Sequence, residues 1–191
     1  DREGDPHSPW RFGKTPWAIF KGFWYAQFGW MFTVNDPAEN RCRTRLMSDP
    51  VASSVNKLTL LWMLLSATLP SVFGYLYQGW HGAYQAFIWA GLVRLFMLQH
   101  VTWSINSYCH LWGKRNFRSG DNSTDSLLFG LLAFGEGFHN GHHAFQGSAV
   151  HGLLYPWMDI SYLFIRLLSV FGLAWDINIP STDQIERKKV E

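Results

Sequence analysis

From Leu58 to Tyr77 the chain reads LTLLWMLLSATLPSVFGYLY, 20 residues without a charge. About 20 apolar residues in a helix cross the hydrocarbon core of a bilayer. A charge-free run this long rarely occurs in a soluble fold, so the pattern predicts a transmembrane helix, kinked at Pro70 as membrane helices tolerate. A second apolar segment, Ala83 to Ile105, carries Gln85, Arg94, Gln99 and His100. The connector QGWHG, Gln78 to Gly82, suits only an antiparallel return, so one hairpin is predicted. Arg94 is expected to snorkel or to face other helices. Trp80 suits the far interface and Lys57 the near one.

The remaining apolar stretches are shorter or more interrupted. WAIFKGFWYAQFGWMF, Trp17 to Phe32, has too many polar and Gly positions to span. It suits a helix at the membrane surface or the lining of an apolar channel. Ser126 to Phe134 is too short to cross. Ile160, Leu163, Phe164, Leu167, Leu168 and Phe171 recur at helical spacing and predict one apolar stripe facing core or interface. The tail after Pro180 is polar and expected to fray. The predicted fold class is all-α and integral to the membrane. One transmembrane hairpin covers 58–105, with an interfacial segment over 1–57, a cytosolic cap over 106–180 and a polar tail over 181–191.

Composition supports this. Of 191 residues, 17% are aromatic, including 11 Trp and 15 Phe, and only 16% are charged. Disorder is excluded by the apolar content, and a net charge of +2 argues against nucleic-acid binding through a strong basic field. Two cysteines, Cys42 and Cys109, build neither a disulfide framework nor a thiolate zinc site. The first twenty residues hold no apolar core of a secretory signal. Eight Lys and Arg precede the hairpin, seven follow it and the connector has none. The positive-inside rule therefore places both flanks in the cytoplasm.

Five of the eight histidines lie between His100 and His143. In GEGFHNGHH, His139, His142 and His143 have HxxHH spacing, which a helix gathers on one face. Three such imidazoles suit iron, copper or zinc. In HVTWSINSYCH, Asn106 and His110 are four apart on one helix face and can reach the same site, Asn106 through a water. Glu136 is expected to orient His139 as an outer carboxylate. His100 reads as a hydrogen-bonded interior histidine, and Arg115 and Asp121 as outer partners of the site or, the favoured reading, as surface charges. His7, His81 and His151 read as non-ligands. Four histidines and Asn106 suffice for one open non-haem iron site but not for two.

These motifs resemble the membrane fatty-acid desaturases, specifically the acyl-CoA/acyl-lipid Δ9-type group. EGFHNGHHAF is similar to that family's third histidine box, and the Asn106 and His110 segment to its further ligand region. Asp1 to His7 resembles the DxxxDPH stretch that follows the second box, GFWYAQFGWMF the next aromatic segment, and LAWDINIP the C-terminal signature. Two departures stand out: Gln27 where the family often has histidine, and Val150 where the third-box tail usually has arginine.

The resemblance implies half of a four-helix membrane fold, with the first two boxes upstream of Asp1. It implies two iron ions held in part by His110, His139, His142, His143 and, through water, Asn106. It also implies O2-dependent insertion of a cis double bond into an acyl-CoA or acyl-lipid. This chain alone is expected to be inactive. Electrons are expected from a separate ferredoxin, rubredoxin or cytochrome b5 type donor. Trp24, Trp30 and Trp103 are candidates for the substrate tunnel. The rival readings are a membrane hydroxylase or alkane monooxygenase, and a non-catalytic degenerate paralogue. The implied location is a bacterial inner membrane or the endoplasmic reticulum.

Overall fold

The structure is a computed structural model that describes residues 1, 5, 7–33 and 47–190. Cys42, Pro6 and the cations Arg2, Arg41, Arg43 and Arg45 lie outside the described residues. Regular structure among the described residues is helical, with no β-strand. The chain divides into two compact units, Met31–Gln99 on the one hand and Asp1–Trp30 with His100–Glu191 on the other.

In the unit Met31–Gln99, α2 (Pro50–Lys57) starts where the Asp49 carboxylate accepts from the amides of Val51 and Ala52. The long α3 (Thr59–Ala86) follows. Helical dihedrals hold through Pro70 and break instead at Gln78 and Gly79, where Gly79 takes φ 59 and ψ −149. A β-carbon disfavours that conformation, so the glycine of QGWHG sets the break. A π-helical turn, Phe87–Val93, then leads into α4 (Arg94–Ser107). Arg94 donates from Nε to Ala90 O at 2.7 Å and from Nη2 to Ser66 O and Oγ at 2.7 and 2.8 Å. The segments either side of the break therefore run beside each other, and the guanidinium is held by oxygens of the facing segment.

Thr59–Ser107, 49 residues, is the one stretch among the described residues long and apolar enough to cross a membrane. A straight helix of that length would run roughly 70 Å against a bilayer core of ~30 Å. Non-helical dihedrals at Gln78 and Gly79 divide that stretch into two shorter segments. Leu60, Phe73, Leu76 and Trp80 all expose more than half of their surface.

In the other unit, α1 (Pro16–Gln27) begins at Thr15, whose hydroxyl accepts from the Ala18 amide, with Pro16 at the first helical position. Gln27, at its end, is buried and reaches α4: its Nε2 donates to His100 O at 3.1 Å and lies 3.2 Å from His100 Nδ1. Its Oε1 accepts from the Ser107 hydroxyl. A small core gathers Ile105, Cys109 and Ala133 against Val101, Tyr108 and Phe129. α5 (Leu127–Leu132) is capped by Ser126, and α6 (His139–Ala144) carries the histidine motif. α7 (Ile160–Val170) is capped by Asp159. Its Leu163, Phe164, Leu167 and Phe171 are exposed, so that stripe does not face the core.

The tail is not frayed. α8 (Thr182–Lys188) opens with a capping box in which the Ser181 hydroxyl and Gln184 satisfy each other's backbone amides. The Lys188 ammonium donates to Ala144 O, and the Val190 amide to Asn116 O at 2.9 Å, which ties the tail to the segment that supports α6.

Candidate metal centre

Three imidazoles meet by their Nε2 atoms. His139 Nε2 lies 3.0 Å from His110 Nε2 and 3.0 Å from His143 Nε2. The ligating atoms of His110, His139 and His143 all lie within 4.8 Å of one another. His110 follows the end of α4, while His139 and His143 stand one turn apart on α6.

HxxHH spacing does not bring all three histidines of the motif together. At 3.6 residues per turn, i+4 lies about 40° to one side of i and i+3 about 60° to the other. His143 accordingly turns toward His110. The His142 ring is 6.0 Å from that of His139 and packs at 4.5 Å against His151. Its Nδ1 is buried without a hydrogen-bond partner.

A six-residue helix has little intrinsic stability, so α6 is held from outside. The Asp125 carboxylate accepts from the amides of Asn140 and Gly141 at 2.9 and 3.1 Å and from Asn116 Nδ2 at 2.6 Å. Burial raises Asp125 above the usual carboxylate range, although these bonds oppose the shift. Asn140 is fully buried. Its Oδ1 accepts from the amides of Asn116 and Phe117, and its Nδ2 donates to Phe117 O and Ser119 Oγ. Gly141 lies against the next loop, where an added β-carbon would sit 2.2 Å from His151 O. Asn140 and Gly141, the spacers in HNGHH, are therefore what fixes the motif in place.

The acidic partners differ from those predicted. Glu136 is exposed, and among the described residues it makes no hydrogen bond to a histidine. Asp121, the alternative outer partner, pairs with His143 Nδ1, and Asp1, which the spacing did not suggest, pairs with His110 Nδ1 at 3.0 Å. Sequence neighbours could not reveal these pairs, which join residues 22 and 109 positions apart. Arg115 is a surface cation bound to the carbonyls of Ser119 and Asp121.

Among the other candidates, Asn106 is half-buried at the end of α4. Trp24 is 44% exposed among the rings of Phe20, Phe23 and Phe28. Trp30 lies against His7, and Trp103 against His100. Val150 is 3% exposed, so this position holds an apolar side chain in the interior rather than a charged one.

The donor set fits a cation. With metal–nitrogen bonds of about 2.1 Å, two ligands at a right angle stand about 3.0 Å apart, matching both contacts to His139. Burial lowers His110 to about 4 and His139 to about 2, the neighbouring imidazoles adding to the effect at His139. His142 falls to about 4, first through burial and then through His151. These three rings are thus neutral near pH 7, the form that ligates metal. Burial, with a contribution from Asp125, pushes Cys109 up to about 12, so no thiolate is offered.

Comparison with known proteins agrees with this chemistry. A family model described as fatty acid desaturase matches residues 1–173. The chain is 34% identical over 193 residues to a hex-5-enoyl acyl-carrier-protein acetylenase of Moorena producens, covering 100% of this chain and 60% of that protein. It is 33% identical to a chloroplastic palmitoyl-monogalactosyldiacylglycerol delta-7 desaturase of Arabidopsis thaliana, covering 98% and 47%. It is 31% identical to an sn-1 stearoyl-lipid 9-desaturase of Anabaena variabilis, covering 96% and 62%. The chain thus spans between 47% and 62% of the length of these relatives.

Proposed function

The chain belongs to the fatty acid desaturase family, and on that premise we propose that it supplies part of the metal centre of an O2-dependent acyl desaturase of the Δ9 type. One observation carries this reading: the ligating nitrogens of His110, His139 and His143 converge within 4.8 Å, with His139 Nε2 3.0 Å from Nε2 of each of the other two. An unactivated alkyl C–H has no acidic proton, so side-chain acid–base catalysis does not reach it. Bound iron supplies the oxidising chemistry: two substrate hydrogens, two electrons and two protons reduce O2 to two waters, and a cis C=C remains.

The chain's own residues bind and orient. His110, His139 and His143 would hold one ion. His142, turned away from that triad, and Asn106, through a water, would serve the second. Two ions need roughly six protein donors, so the second draws on residues beyond these, and residues 1–191 alone do not turn over substrate. Trp24, Trp30 and Trp103 line the acyl tunnel, exclude water and hold the chain in register.

Leu58–Tyr77 and Ala83–Ile105 cross the membrane as a hairpin with cytoplasmic flanks and the metal-binding cap on that side. The helical break at Gln78–Gly79 and the Arg94–Ser66 bonds support the hairpin. The substrate is an acyl chain on CoA or a lipid, and the electrons come from a separate ferredoxin, rubredoxin or cytochrome b5 type protein. The test loads the full-length protein anaerobically with Fe(II) and supplies acyl substrate, O2 and a reducing partner. Bound iron and an alkene product are expected. An alcohol product would reassign the protein as a hydroxylase, and failure to bind iron with all four histidines intact would end the metal reading.

A further inference from the structure

Two carboxylates stand behind the imidazole triad, on the nitrogens that face away from its centre. Asp1 Oδ2 lies 3.0 Å from His110 Nδ1 and accepts from the Asn122 amide at 2.7 Å, while its Oδ1 accepts from the Ser8 hydroxyl at 2.5 Å. Asp121 Oδ2 pairs with His143 Nδ1, while its Oδ1 accepts from the Ser123 amide at 3.0 Å and the Ser123 hydroxyl at 2.5 Å. The arrangement is the same twice: one oxygen on an imidazole, the other anchored to a serine. One short loop, Asp121 to Ser123, takes part in both.

An ionised carboxylate only accepts hydrogen bonds. Each Nδ1 facing a carboxylate must therefore carry its hydrogen, and a neutral ring is left with its Nε2 lone pair pointing inward. Without those partners the hydrogen is free to sit on Nε2, where it blocks ligation. Resting on the metal reading above, we infer that Asp1 and Asp121 are positioning residues that fix the metal-binding tautomer of His110 and His143.

The two carboxylates differ in a way that makes the inference testable with near-isosteric variants. In Asp121→Asn, the Ser123 backbone amide can only donate, so it claims the amide oxygen. The new NH2 group then faces His143 Nδ1, makes that atom an acceptor and drives the ring hydrogen onto Nε2. In Asp1→Asn, the Asn122 backbone amide shares an oxygen with His110, so the amide oxygen stays on the imidazole side. The NH2 group faces the Ser8 hydroxyl, which can accept. His110 keeps its tautomer.

The experiment measures Fe(II) affinity of the full-length protein, without substrate, by anaerobic chelator competition, with the Co(II) ligand-field spectrum as a second readout. Outer partners of metal-bound histidines typically alter affinity by about 10- to 100-fold. Asp121→Asn is expected to fall in that range with an altered Co(II) spectrum, and Asp1→Asn to stay within about threefold of the unsubstituted protein. Asp121→Ala, which imposes no tautomer, is expected to lose less than Asp121→Asn. A purely structural or charge role predicts the opposite order for Ala and Asn, and the same loss for both Asn variants; either result overturns the inference. An unsubstituted protein that binds no Fe(II) would instead overturn the metal reading beneath it.

Discussion

Asn140 is the side chain on which the histidine helix rests, and Asn140→Ala should cost more than any ordinary surface change. Its Oδ1 satisfies the amides of Asn116 at 2.9 Å and Phe117 at 2.6 Å. Its Nδ2 donates to Phe117 O and Ser119 Oγ, each at 3.1 Å. Asn140 is 0% exposed, Asn116 7% and Phe117 1%, so water does not replace these partners. A buried donor left unpaired costs about 1–3 kcal/mol, so the two stranded amides alone predict a loss of about 2–6 kcal/mol. Against a total stability of about 5–15 kcal/mol this is large. At about 2–4 °C per kcal/mol for a chain of this size, the midpoint should fall by roughly 10 °C. Thermal unfolding in detergent measures it. Asn140→Asp keeps one acceptor but sets a carboxylate oxygen against Phe117 O, so it should be no milder. A loss below about 1 kcal/mol for Asn140→Ala would refute the claim that this side chain holds α6.

Gly141→Ala places a β-carbon 2.2 Å from His151 O, and backbone cannot yield as a flexible side chain does. A loss of about 1–3 kcal/mol, with weaker Fe(II) binding as α6 shifts, is expected from unfolding and chelator titrations; unchanged values in both would refute the close approach. The metal-free protein should also be acid-labile. Burial places His110 and His142 at about 4 and His139 at about 2, against an ordinary 6.5. The unfolded chain takes up protons below pH 6.5 while the folded rings do not, so stability is fully present above 6.5 and is lost as pH falls toward 4. Midpoints recorded from pH 7.5 to 4.5 should drop across that window, and a flat profile would contradict the burial of these rings.

What the sequence reveals is what short-range spacing encodes. A helix turns i+4 back onto i, so His139 and His143 are readable as a pair, and a charge-free run of 20 residues is readable as apolar helix. At His142 the same arithmetic needs its sign, because i+3 falls on the other side of His139 from i+4. Ser181 to Gln184 is a capping-box signal that the polar composition of the tail obscured. Proline drew the predicted kink to Pro70, although a glycine in QGWHG offers the positive φ that a sharper reversal needs.

The acidic partners were only partly legible, for a different reason. Glu136 was favoured because it lies three residues from His139, yet its side chain points to solvent. Asp121, among Gly120, Asn122 and Ser123, could be read as an outer partner or as a surface charge. Its meaning depends on the Ser123 amide and on His143, 22 residues away, and that of Asp1 on His110, 109 residues away. Spacing within one helix is legible in the sequence, whereas the contacts of Asp121 with His143 and of Asp1 with His110 join chain segments that meet only in the folded protein. Histidine pattern alone therefore points to a cluster that could hold a metal before it points to the carboxylates behind it.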